Sequence, residues 1–220
     1  MKKRNRKDIF AALSFLAAFV LWTIAMGFVD VRAIGPNESY VGFAAINMAI
    51  HQLTGVHMSL YNITDWLGLV PVGVVLCFAA MGLLQWIKRK HILKVDYSIL
   101  VLGGFYVIVM AVYILFELVV INYRPVLING YLEVSYPSST TVLVMCVMPT
   151  AIMQLNGRIR NVTLKKCTAI AISAFIVFMV IGRLLSGVHW FTDIVGGVLL
   201  SAGLALMYRA VSGLEIKQQE

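Results

Sequence analysis

An all-α, polytopic membrane helical bundle of about six transmembrane helices, with an interfacial helix between spans 1 and 2, is the fold this sequence predicts. Three observations predict it. Hydrophobic residues fill 60% of the 220 positions and charged residues 13%, with a mean hydropathy of +0.88, whereas a soluble domain is about 45–50% apolar. Apolar runs of roughly 20 residues, long enough to cross a bilayer core, recur along the chain. The basic residues gather between alternate runs, the pattern of a multi-pass protein. Residues 1–220 are accordingly taken as a single integral membrane domain.

The first span is placed at Ile9–Val29, behind Lys2, Lys3, Arg4, Arg6 and Lys7. Its start imitates a secretory signal, but the apolar run is longer than a signal's and has no clear small-residue cleavage site, so it is expected to be a retained anchor. Next comes the longest loop, Asp30 to Asp65. Its stretch from Val41 to His51 is too short and too polar at its ends to span, and is expected to lie along the membrane surface as an interfacial helix. His51 and His57 in this loop have no partner at suggestive spacing and are assigned to the interface. The remaining spans are placed at Trp66–Ile87, Tyr97–Val120, Thr140–Leu155, Cys167–Leu185 and Phe191–Ala210. Cys77, Cys146 and Cys167 lie in or beside apolar runs without metal spacing, and are assigned to packing.

Six spans put the N-terminus, the Lys88–Lys94 turn, the Arg158–Lys166 turn and the C-terminal Arg209 and Lys217 on one side, which therefore holds 15 of the 18 lysines and arginines. The positive-inside rule makes that side cytoplasmic, with both termini inside and the protein in the cell membrane. Anchoring thus explains the net charge of +8 without any nucleic acid partner. The other three basic residues, Arg32, Arg124 and Arg183, fall on the outer side, which carries no lysine. Topology does not need them there, so an anion is the expected reason for them.

The region from Glu117 to Asp193 supplies the chemistry. Arg124-Pro125 closes the third span, and the proline is expected to stop the helix and hold Arg124 at the membrane exit. Pro137-Ser138-Ser139-Thr140-Thr141 opens the fourth span, where unpaired backbone N–H groups and the helix dipole favour a phosphate, and where Ser138 or Ser139 can cap or donate. His189 and Asp193 stand four apart, so on a helix the carboxylate accepts from one imidazole nitrogen and leaves the other free to attack. Arg183 lies six positions before His189 and would point elsewhere on a continuous helix. Ser186-Gly187 must break the chain to turn it back.

These residues resemble the type 2 phosphatidic acid phosphatase superfamily, in its membrane lipid phosphatase branch. The family pattern Lys-x6-Arg-Pro, then Pro-Ser-Gly-His, then Ser-Arg-x5-His-x3-Asp appears here as Glu117-x6-Arg124-Pro125, Pro137-Ser138-Ser139-Thr140 and Gly182-Arg183-x5-His189-x3-Asp193. The resemblance implies a metal-independent enzyme with no cofactor that removes phosphate from a lipid phosphate or diphosphate at the outer leaflet, or transfers it, through a phosphohistidine. It implies His189 as nucleophile and Asp193 as the group that orients it. Arg124, Arg183 and the Ser138, Ser139 and Thr140 turn would hold the phosphoryl oxygens.

Two departures bear on the chemistry. Glu117 reverses the charge of the family's lysine, and Thr140 replaces the histidine that protonates the leaving oxygen in the family; Ser139 and Gly182 are milder changes. A threonine hydroxyl is no general acid near neutral pH. Arg32 is expected to compensate for the lost lysine by converging with Arg124 and Arg183, with Glu117 pairing one of them. A second class of function stays open, a catalytically weak relative that binds or moves phosphorylated lipids. The oriented imidazole favours the enzyme, since a pure binder has no use for one.

Overall fold

In the computed structural model, residues 3–212 are described, with side chains from Asn5 onward; Lys2 and Lys217 of the basic clusters lie outside the described residues. The helices are α1 (Lys3–Met26), α2 (Ala44–Thr54), α3 (Met58–Leu67), α4 (Leu69–Arg89), α5 (Tyr97–Leu118), α6 (Ser139–Arg158), α7 (Val162–Leu185) and α8 (Phe191–Ser212). Two-residue strands β1 (Arg32–Ala33) and β2 (Tyr40–Val41) pair antiparallel between α1 and α2. Six segments are long and apolar enough to cross a membrane, with α3 and α4 counted as one stretch from Met58 to Arg89. The protein is a multi-pass membrane bundle.

Burial sorts the spans. In their most hydrophobic stretches α6 and α8 are 61% and 50% buried, against 17–22% for the other four. The first two form the centre, and the rest turn apolar side chains outward, as a lipid-facing helix does. Small residues make the centre possible: a Cβ at Gly203 of α8 would lie 2.7 Å from Leu16 Cγ of α1, and one at Gly196 would lie 2.4 Å from the Tyr136 ring. At the end away from the arginine cluster, Arg209 forks onto Asp8 at 2.5 and 3.1 Å and fastens α8 to α1.

The expected spans lie within the observed helices apart from a few terminal residues, and the differences are informative. The second span begins earlier than Trp66, because the turn Tyr61-Asn62-Ile63-Thr64-Asp65 is helical and its Thr64 and Asp65 meet Arg183. The short helix α2 is 11 residues long, about 16 Å and too short to span. It packs at the start of α8, where buried Asn47 accepts from Thr192 N at 3.1 Å and donates to Thr192 Oγ1 at 3.0 Å. The third span ends at Leu118, six residues before Arg124. Pro125 is therefore not its stop.

Candidate active site

Arg124 is positioned by a hairpin. Residues Tyr123 and Val134 form a bridge, as do Ile128 and Tyr131, around Asn129-Gly130, both with positive φ (51° and 84°). Asn-Gly is the preferred pair for such a turn, because both central residues must enter the left-handed region. The hairpin sets Arg124 N on Glu133 O at 2.9 Å and Arg124 Nε against the Glu133 carboxylate at 3.0 Å. The expectation of a proline-stopped helix end is thus corrected: the pairing of two short strands fixes Arg124, whose side chain is nearly buried.

Arg183 and His189 are brought together at the α7–α8 junction. Helix α7 ends at Leu185, and Gly187 turns the chain with φ +69°; a Cβ there would lie 1.9 Å from Gly55 O, so strain and space both demand glycine. His57 N donates to Ser186 O at 2.9 Å and ties the α2–α3 link to this corner. Gly187→Ala is expected to cost about 2 kcal/mol or more, read as a lower thermal midpoint in detergent, since it combines a left-handed φ with a backbone clash. An unchanged midpoint would show that the corner relaxes freely.

At the junction both arginines aim at one atom. Arg124 Nη1 lies 3.2 Å and Arg183 Nη2 3.3 Å from His189 Nε2. Guanidinium groups only donate, so Nε2 must be the lone-pair nitrogen and the ring proton sits on Nδ1. Nδ1 faces Asp193 Oδ2 at 3.7 Å, long for a hydrogen bond but close enough for attraction. The Asp193 carboxylate is itself held: Oδ1 accepts from Asn122 Nδ2 at 3.1 Å and Oδ2 from Trp190 N at 2.9 Å. Its second role is therefore to satisfy a free N–H at the start of α8. Burial, followed by the two positive neighbours, pushes the His189 pKa well below the ordinary imidazole value. The ring is neutral at neutral pH.

Ser138, Ser139 and Thr140 take different places. Ser138 is fully buried at the N-cap of α6 without capping through its side chain; its N–H donates to Asp193 O at 3.2 Å and its Oγ accepts from Thr141 at 3.1 Å. The expected cap is corrected, because neighbouring groups have already used that serine. The N–H groups of Ser139, Thr140 and Thr141 begin the helix and have no partner one turn earlier in it. Ser139 and Thr140 line a cavity of about 450 Å³ together with His189, Arg124, Glu117 and Asp65.

Arg32 is not brought there. It is largely exposed on β1, and its Nε pairs with Asp30 at 2.7 Å. The short β1–β2 ribbon and the Asp30 carboxylate account for its place, so the expected convergence of three arginines is corrected to two. Glu117 lines the cavity, but the carboxylates that pair with the arginines are Glu133 and, 3.6 Å from Arg183 Nη1, Asp65. Tyr61 of α3 lies beneath both guanidinium groups, with ring distances of 4.9 Å to Arg183 and 5.8 Å to Arg124. His51 packs against the Trp190 ring. Tyr61, Thr64, Asp65, Asn122 and Glu133 were missed from sequence. Asn129-Gly130 was a readable hairpin signal that pointed to Glu133.

A search of curated proteins gives no significant match. Among solved structures, the fold is similar to a crystal structure described as the first transmembrane PAP2 type phosphatidylglycerolphosphate phosphatase from Bacillus subtilis, with a TM-score of 0.59, 20% identity, and coverage of 96% of this chain and 100% of that one. Residues 120–216, which contain both arginines, the α6 start, His189 and Asp193, match the model of the PAP2 superfamily.

Proposed function

We propose that this protein is a membrane-embedded lipid phosphatase or phosphotransferase, acting on a lipid phosphate or diphosphate at the outer leaflet through a phosphohistidine. One observation carries the reading: both arginine forks meet at the lone-pair nitrogen of His189 while Asp193 stands behind the other nitrogen. A substrate phosphate takes the arginines for its own oxygens and so frees Nε2. That nitrogen attacks phosphorus, the bond to the lipid oxygen breaks, and the electron pair leaves with that oxygen. The charge gained by the ring is balanced by Asp193, and the equatorial oxygens are held by Arg124, Arg183 and the first N–H groups of α6. Water then takes the phosphoryl group from His189 and restores the ring. The arginines supply the positive charge that a metal supplies elsewhere, which supports a metal-independent reaction.

The structural neighbour is described as a phosphatidylglycerolphosphate phosphatase, which supports the lipid class. The cavity supports it too, since apolar residues of α4, α5 and α6 line it below the arginines. The basic turns at the opposite end support cytoplasmic termini and an outward-facing site. Purified protein in detergent is expected to release phosphate from a panel of lipid monophosphates and diphosphates with EDTA present. No release from any of them would leave a binding protein.

The neutral imidazole gives a further test. Because the His189 pKa is lowered, the nucleophile stays available until pH falls through that lowered value. The ¹⁵N shifts of the His189 ring are therefore expected to titrate below ~6.5. Arg124→Ala removes a positive neighbour and should move the titration upward. A wild-type midpoint at or above the ordinary value would contradict the buried, doubly cationic setting.

A further inference from the structure

Two apolar cavities lie end to end between the helices, and one tyrosine separates them. The first, about 450 Å³, runs from His189, Arg124 and Ser139 down to Val75, Tyr106 and Val147. The second, about 380 Å³, begins at Val75 and Tyr106 and continues between α4 and α5 to Trp86, Val95 and Ile99, with no charged residue lining it. Val75 and Tyr106 are the two residues common to both. The Tyr106 hydroxyl is 3.1 Å from Thr150 Oγ1, whose own proton goes to Val147 O at 2.8 Å. Tyr106 is therefore the donor, and its ring is pinned from α5 across to α6.

We propose that Tyr106 is a specificity-determining residue that ends the slot for the substrate's hydrocarbon chain, and that shrinking it joins the second cavity to the slot and admits longer chains. The inference rests on the lipid-phosphate reading above. The occupant follows from the polarity of the first cavity: a cationic, nucleophilic head joined to an apolar shaft fits one chain of a phosphorylated lipid. Along α5 the shaft extends from Glu117 to Tyr106, about 16 Å at ~1.5 Å per residue, and the second cavity adds about 10 Å more to Ile99. A chain longer than the shaft meets a ring that cannot yield without losing its bond to Thr150 or overpacking its neighbours.

The test uses full-length protein and a homologous series of single-chain alkyl phosphates and alkyl diphosphates, with kcat/KM plotted against chain length. Wild type is expected to fall at least tenfold beyond its best chain. Tyr106→Ala should move the best chain to a longer one while short chains keep wild-type rates within a few-fold. Tyr106→Phe, which keeps the ring, should retain the wild-type profile. Gly103 lines the second cavity, and a Cβ there meets nothing within 4 Å. Gly103→Leu should thus leave wild type unchanged but cancel the shift when added to Tyr106→Ala. If alanine prevents folding, Tyr106→Leu should move the profile in the same direction by less. An active Tyr106→Ala or Tyr106→Leu enzyme with the wild-type profile overturns the proposal, as does Gly103→Leu shortening the best chain of wild type. Absence of phosphate release at every length, in wild type as well, instead overturns the phosphatase reading.

Discussion

His189→Ala is expected to lower turnover by about 10⁴-fold or more while the protein stays folded, since loss of a nucleophile leaves only the rate that binding and electrostatics sustain. On the proposed mechanism this residue has the largest expected effect in the bundle. Its Nε2 is the point on which both buried guanidinium groups converge. An acid-labile phosphohistidine should be trapped on wild type and be absent from the variant. Near-normal turnover in His189→Ala would remove the covalent mechanism. Asp193→Asn should be severely impaired as well, because the carboxylate lies behind Nδ1 and on the proposed mechanism balances the ring's developing charge. Its amide oxygen can still accept from Trp190 N, so a folded but slow variant separates the electrostatic role from the helix-start role.

The spans were legible because bilayer thickness imposes a length and a composition that any sequence displays. Arg183, His189 and Asp193 were legible because their spacings are local: the turn at Gly187 and the four-residue step from His189 into the first turn of α8 decide their geometry. What failed was long-range. Arg32 stands on the same side by charge counting, yet a strand pair and Asp30 hold it away from His189, and charge counting has no access to that distance. The reverse holds for Tyr61 and Asp65, which reach the site because a near-continuous helix from Met58 carries them against α7. Gly182 permits that approach: a Cβ there would lie 2.8 Å from Thr64 Cγ2. Its replacement of the family's serine thus has a packing consequence as well as a chemical one.

Diphosphates are expected to be cleaved far faster than monoesters by the wild-type enzyme, and Thr140 is the reason. Thr140 lines the cavity beside His189 and Ser139, at the position where the resembling pattern has a histidine, and its hydroxyl is no general acid near neutral pH. Expelling an alkoxide without an acid is hard, because its conjugate acid is about as weak as water, with a pKa of ~15.7. Expelling a phosphate is much easier, since that group's pKa is roughly 6. A polyprenyl or diacylglycerol diphosphate should therefore be a better substrate than phosphatidic acid. Thr140→His, alone or with Glu117→Lys, should raise kcat on monoesters selectively, by about 10²-fold, the lower end of what a positioned acid contributes. Diphosphate turnover should change little, because its leaving group needs no proton. Equal wild-type rates on the two classes would mean that another group donates. The carboxylates in the cavity, Glu117 and Asp65, would then be the residues to replace, with Glu117→Gln and Asp65→Asn read for selective loss on monoesters. Asp65 already faces Arg183 Nη1 at 3.6 Å, whereas Glu117 pairs with neither arginine, so Glu117→Gln is the first of the two to make.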